Sequence, residues 1–196
     1  MIAWIYAIGR VTGFGVAGGV RPALTLVLIG VMSRLGIGPD LTAPFAGLDH
    51  WIAIVVFGVL AIFESKFDNV PVVMRVQDRL LMPWRVVGGA VAAAATVGHG
   101  AGGVVLGLCL GAVVAWLGQS VKHGARPRQA TGIAFALISL SEDLFAFGGV
   151  VATALISLLG YVFFGVNLWL LLWLGRRRRR KYRRPAAPRR GSAESG

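Results

Sequence analysis

LFAFGGVVATALISLLGYVFFGVNLWLLLWL, residues 144–174, contains no charged side chain. As a single helix it would be about 46 Å long at 1.5 Å per residue, against a bilayer hydrocarbon core of about 30 Å. The stretch therefore predicts two membrane-spanning helices, residues 130–158 and 161–176, joined by a tight hairpin near Gly160. Working back toward the N-terminus, five more apolar segments stand out: 2–19, 22–37, 51–66, 84–97 and 102–121. The 84–97 segment is short and rich in Gly and Ala, and 130–158 carries Glu142 and Asp143. The fold class this implies is all-α: a polytopic transmembrane helical bundle of six or seven spans over residues 1–175. A basic, largely disordered cytoplasmic tail follows at 176–196.

Composition supports that class. Of 196 residues, 56% are hydrophobic and 14% charged, with a mean hydropathy of +0.73. Soluble domains carry about a quarter charged residues. A soluble globular enzyme and a disordered chain are both excluded on these numbers. The formal net charge of +12 belongs mostly to the tail, which holds ten basic residues against Glu194. It is no sign of a nucleic-acid-binding domain. Cys109 is the single cysteine and lies in an apolar run, and no Cys/His spacing for a metal exists. No cofactor is implied. The N-terminal segment lacks a basic leading region and is interrupted by Arg10, so it reads as the first membrane segment rather than a cleaved signal.

Loop charge predicts the orientation. With the tail in the cytoplasm and seven spans, the inside loops hold Arg21, then Lys66, Arg75, Arg79 and Arg85, then Lys122, Arg126 and Arg128. The outside loops hold Arg34, Asp40 and Asp49, then His99, then nothing charged. The N-terminus is thus expected outside and the C-terminus inside a bacterial cytoplasmic membrane. Between the third and fourth spans, Pro71 is expected to end a helix. Residues 67–83 then form an interfacial amphipathic segment, with Val72, Val73, Val76, Leu80 and Leu81 opposite Arg75, Gln77, Asp78 and Arg79. Trp51 and Trp84 suit the interface.

Gly19-Val-Arg21-Pro22 recurs as Gly124-Ala-Arg126-Pro127, each between two apolar segments. Each copy is followed by acids: Glu64 and Asp68 in one half, Glu142 and Asp143 in the other. That is the pattern of duplicated halves found in many transporters. Charges within apolar spans cost at least about 2.5–3.5 kcal/mol when unpartnered, so they turn inward and pair. Glu64, Asp68, Glu142, Asp143, Arg21 and Arg126 form the candidate solute- or ion-binding set. The competing reading makes them Arg–Glu pairs that lock helices together. Arg10 is a further deep charge, expected to meet an acid or to mark a re-entrant first span.

Small residues repeat every four positions at Gly103, Gly107 and Gly111, and at Gly9, Gly13 and Ala17. They permit close helix packing within the chain or in a homo-oligomer. His50, His99 and His123 are dispersed and read as interfacial residues rather than metal ligands. Ser139 and Ser141 lie near Glu142, but no nucleophile–base pair stands out, so no enzyme is expected. In the tail, Arg176, Arg177, Arg178, Arg179, Arg180 and Lys181 fix the inside end and can bind anionic lipid at about 1 kcal/mol per residue. Nucleic acid is not an expected partner.

Taken as a set, several motifs resemble the bacterial membrane family termed domain of unknown function 4126, over roughly residues 10–178. They are Gly19 to Pro22; Glu64, Asp68 and Pro71; Asp78 and Arg85; His123 and Gly124; and Glu142-Asp143, where Ser141 replaces the usual apolar residue. The resemblance implies membership and imports no activity. The leading functional expectation is a transporter or channel for a small solute or ion. The alternatives are a lipid-phosphate flippase and a non-catalytic assembly or scaffold subunit.

Overall fold

The computed structural model describes residues 2–67, 71–98, 100–125 and 133–182. Among them there is no strand. The elements are α1 (Ile2–Val20), α2 (Pro22–Arg34), a 3-10 turn (Ala43–Asp49), α3 (Trp51–Phe67), α4 (Pro71–Ala95), α5 (Gly100–Ala125), α6 (Ile133–Leu155) and α7 (Leu159–Tyr182). Among the described residues three stretches are long and apolar enough to cross a membrane: Gly100–Val121, Leu137–Leu155 and Leu159–Arg177. The 3-10 turn and α3 meet the same criterion only as a pair, bent by 73°. The outer faces of α3 and α7 carry exposed Ile52, Val55, Val59, Ile62, Val162, Trp169 and Leu172. Such a surface suits hydrocarbon rather than water.

The uncharged run divides in two, at residues 156–158 rather than at Gly160. The amides of Leu159 and Gly160 donate to the carbonyls of Ile156 and Ser157, at 2.9 and 3.2 Å. Gly160 lies in the first turn of α7, where a Cβ would collide with the carbonyl oxygen of Gly9 on α1. Glycine is needed there for helix approach, not for the reversal.

Two other boundaries differ from the sequence reading for identifiable reasons. α2 stops at Arg34 instead of 37 because Gly36, at φ +70°, closes it with paired bonds. The Gly36 amide donates to Ser33 and the Ile37 amide to Met32, at 3.0 and 3.1 Å, the geometry of a Schellman cap. Pro71 opens α4 rather than ending α3, since proline suits a first helical turn whose N–H has no intrahelical partner. α4 then runs on through Pro83 to Ala95, so the amphipathic segment and the short 84–97 segment form one helix.

α1, α4 and α5 pack through small side chains. A Cβ on Gly89 would lie 2.5 Å from the Ala115 Cβ and 3.0 Å from both the Gly15 oxygen and the Gly19 nitrogen. Gly111 faces Ala90 and Ala93, and Gly107 faces Ala94 and Val97, so this stripe of α5 is used against α4 in an antiparallel register. Gly13 and Gly9 of α1 face Thr153 and Ser157, which sets α6 antiparallel to α1. Phe14, Ala17, Leu26, Ile29, Met32, Ala92 and Val150 form one buried cluster. Residues of α1 and α2 share it because α2 folds back along α1 across one intervening residue, Arg21.

Midway along α1, which is one continuous helix, Arg10 meets no acid among the described residues. Its Nε donates to Ser157 Oγ at 3.0 Å and its Nη1 to the Thr96 carbonyl at 3.4 Å. A cation suits the carbonyl-rich C-terminal end of α4. Thr42 fastens the same end, accepting from the Gly98 amide at 3.1 Å and donating its own amide to Ala95 at 2.8 Å. Aromatic anchors stand at both ends of the bundle. The Arg34 guanidinium lies 4.5 Å from the Trp51 ring centroid, and that of Arg177 lies 4.2 Å from Trp173.

Candidate functional site

Arg21 sits at the junction of α1 and α2 with φ −141° and ψ 81°. The following proline disfavours helical backbone at this position, so the sequence itself forces the break. Hydrogen bonding nonetheless runs up to it from both sides. The Arg21 amide donates to Ala17 at 2.8 Å, and the Thr25 amide donates to the Arg21 carbonyl at 3.0 Å. The side chain turns into the bundle, and the residue is 1% exposed.

α6 supplies its partners. Ser139, Glu142 and Asp143 have i, i+3, i+4 spacing and so share a helical face. Arg21 Nη2 donates to Ser139 Oγ at 2.8 Å and lies 3.8 Å from Glu142 Oε2. Arg21 Nε lies 2.6 Å from Asp143 Oδ1. The second carboxylate oxygen of Asp143 accepts a long bond from Ser65 Oγ of α3, at 3.5 Å. Beside Ser65, Glu64 pairs with Arg85 of α4, with Oε1 and Nε 3.7 Å apart. Arg85 is as deeply buried as Arg21. Gly88 makes room for Pro22 and brings this part of α4 up to the Arg21 junction. The register that sets Gly89 against Ala115 places Gln119 of α5 opposite Arg85, one turn on. The Gln119 side-chain amide is buried there with no hydrogen-bond partner among the described residues.

The described side chains of this cluster comprise three carboxylates, Glu64, Glu142 and Asp143, and two guanidiniums, Arg21 and Arg85. Beside the cluster, a cleft of about 340 Å³ opens between α2, α3 and α6. Its floor is Arg21, Glu64, Ser65 and Asp143, and its walls are Leu24, Ala61, Ile62, Leu144 and Phe147. No group of three or more His, Cys, Asp or Glu side chains converges for a metal ion among the described residues.

Of the six residues singled out from the sequence, the structure brings together Arg21, Glu64, Glu142 and Asp143. Asp68 and Arg126 lie outside the described residues, as does Pro127 of the second Gly-x-Arg-Pro copy. Arg176 and Arg177 are exposed on the last turns of α7. The helix continues through Arg178, Arg179, Arg180 and Lys181 to Tyr182, and the rest of the tail lies outside the described residues. Arginine and lysine are good helix formers and suit a helix C-terminus.

Sequence reasoning left four residues out of the site. Arg85 was counted as a loop charge, although Trp84 on one side and the Gly/Ala run on the other placed it at the edge of an apolar span. Ser139 was noted near Glu142, but its i−3 position, which points it at the same guanidinium, was not used. Ser65 adjoins Glu64. Gln119, a lone amide near the end of an apolar span, had only its polarity as a signal.

The arrangement defines a class: an all-helical protein with apolar outer faces and a buried ion-pair cluster where five helices meet. A family model described as Domain of unknown function (DUF4126) matches residues 8–177, and the chain belongs to that family. No curated protein and no solved structure matches it.

Proposed function

We propose that this chain is a polytopic membrane transporter for a small cation or proton, working through the Arg21–Glu142–Asp143 and Arg85–Glu64 cluster. The observation that carries the reading is the gathering of buried carboxylates and guanidiniums from several helices beside a cleft of about 340 Å³. Carboxylates in such a setting can take up a cation or a proton.

Seven crossings, with the N-terminus outside and the C-terminus inside a bacterial cytoplasmic membrane, go with this proposal. The antiparallel registers of α4 with α5 and of α1 with α6 support it, as does the positive end of α7. The basic residues from Arg176 onward bind anionic lipid of the inner leaflet. A second reading, movement of a lipid phosphate, is favoured by one observation: the cleft opens sideways with Arg21 on its floor. It ranks lower because Arg21 already faces Asp143 and Glu142.

The test is charge movement by purified protein in proteoliposomes on a solid-supported membrane, with concentration jumps of common cations and of pH. A pH-sensitive dye inside the vesicles follows electroneutral exchange. Flux that is lost in Glu142→Gln supports the proposal. Folded wild-type protein that moves neither charge nor protons under any of these gradients refutes it. Transfer of a labelled phospholipid under the same conditions would favour the second reading.

A further inference from the structure

We propose that Arg10 holds the phosphate of a bilayer phospholipid at the end of the bundle where α4 and α6 finish. The site lies about 16 Å back along α1 from Arg21, at 1.5 Å per residue, and does not depend on the transport reading. Although Arg10 stands midway along α1, its side chain reaches the ends of both other helices. It donates through Nε to Ser157 Oγ, just past the end of α6, and through Nη1 to the carbonyl of Thr96, just past the end of α4. A guanidinium carries five N–H donors. Two are engaged here, and Nη2 has no acceptor among the described residues. No carboxylate among them pairs with Arg10 either. The Thr96 carbonyl, at a helix C-terminus, offsets only part of a full positive charge. Ser157 is 7% exposed, and its hydroxyl accepts from Nε while its own proton has no acceptor among the described residues.

The rim around this guanidinium is apolar. Leu155, Ile156 and Leu158, in the turn that carries Ser157, are 63%, 54% and 44% exposed, and Ile2, Trp4 and Tyr6 on the first turns of α1 are exposed as well. Such a rim suits hydrocarbon and the membrane interface rather than bulk water. Arg10 is itself partly exposed, so the unused edge of the fork opens toward that rim. A cation without a counter-charge is costly within hydrocarbon and is drawn to the headgroups. The anion that every phospholipid leaflet supplies there is phosphate. The planar fork of arginine binds phosphate through two oxygens, and the Ser157 hydroxyl stands beside it as a further donor. A metal cation would meet a positive charge. A free oxyanion would have to leave water for an apolar rim, whereas a lipid phosphate arrives with chains that cover Leu155, Ile156 and Leu158.

The experiment is native mass spectrometry of the full-length protein, delipidated in detergent and titrated with dioleoyl phosphatidylcholine. That lipid has no net charge, which limits its binding to the basic tail. Dioleoylglycerol, which has the same chains and no phosphate, is titrated in parallel. Two variants bear on the site from opposite directions. Arg10→Met removes the cation. Ser157→Asp puts a carboxylate where the hydroxyl now meets Nε and gives Arg10 a counter-charge within the chain. The first phosphatidylcholine should bind wild-type protein at least about tenfold more tightly than it binds either variant. Dioleoylglycerol should bind all three proteins equally and more weakly. Should Arg10→Met fail to fold, Ser157→Asp decides, because it adds a partner instead of removing one. The comparison of the two lipids on wild-type protein needs no variant. Equal affinity of wild-type protein for phosphatidylcholine and dioleoylglycerol overturns the proposal, as does affinity for phosphatidylcholine unchanged in Ser157→Asp. Displacement of the bound phospholipid by inorganic phosphate also overturns it, since the site would then take a soluble oxyanion rather than a lipid.

Discussion

Replacing Arg85 with Met and its partner Glu64 with Gln should each destabilise the bundle, and the double variant should lose much less than the sum. The two side chains are 1% and 5% exposed and their charged atoms lie 3.7 Å apart. At an effective dielectric constant of about 20, that separation corresponds to about 4.5 kcal/mol of attraction before desolvation. Breaking a buried pair by removing one partner typically costs about 3–5 kcal/mol. Each single variant should therefore lose about that much, with the second substitution adding at most about 1–2 kcal/mol. The assay is reversible unfolding by SDS in mixed micelles, with all four proteins at one pH and ionic strength. A double variant that loses the full sum of the two single losses would refute the pairing of Arg85 with Glu64.

Further outcomes follow from the packing. Gly89→Val drives a branched side chain into Ala115 and the α1 backbone and should cost at least about 1–3 kcal/mol in the same assay, whereas Gly102→Ala, with open space around it, should be neutral within about 0.5 kcal/mol. Arg10→Met removes the donor shared by Ser157 Oγ and the Thr96 carbonyl and should lower stability by about 1–2 kcal/mol without changing cluster-dependent flux. Cys109 is exposed on the apolar outer face of α5, so in native membranes it should resist a charged thiol reagent and react once the protein is denatured. Replacing the ten basic residues beyond residue 175 by Gln should give mixed orientations, read by reporter fusions at the C-terminus.

The helices were legible because apolar length and proline position are local properties. The uncharged run of 144–174 had to break, and Pro22 had to leave Arg21 outside a helix. Charge pairing was less legible. Arg21 and Arg85 were counted as loop charges because loop counting sees only proximity to a span end. Their burial comes from contacts between helices distant in sequence: Gly88 against Pro22, Gly89 against Ala115 and α6 against α1. Gly160 shows the same limit, since its reason for being glycine lies on α1. That Arg21, Glu64, Glu142 and Asp143 meet could be argued from the cost of isolated charge in an apolar setting. Which acid each arginine takes required the register.

The one-residue junction at Arg21 has a consequence during synthesis. Ser139, the first of its partners on α6, follows 118 residues later. At translation rates of about 5–20 residues per second, that interval is about 6–24 s. For that time the α1–α2 hairpin exists with its arginine and without the carboxylates that will hold it. The hairpin turn must therefore stay near the headgroups, where a guanidinium can reach water, and settle inward only when α6 arrives. A nascent chain halted after α5 would carry the same exposed cation, marking it as unfinished to any factor that recognises unassembled membrane segments.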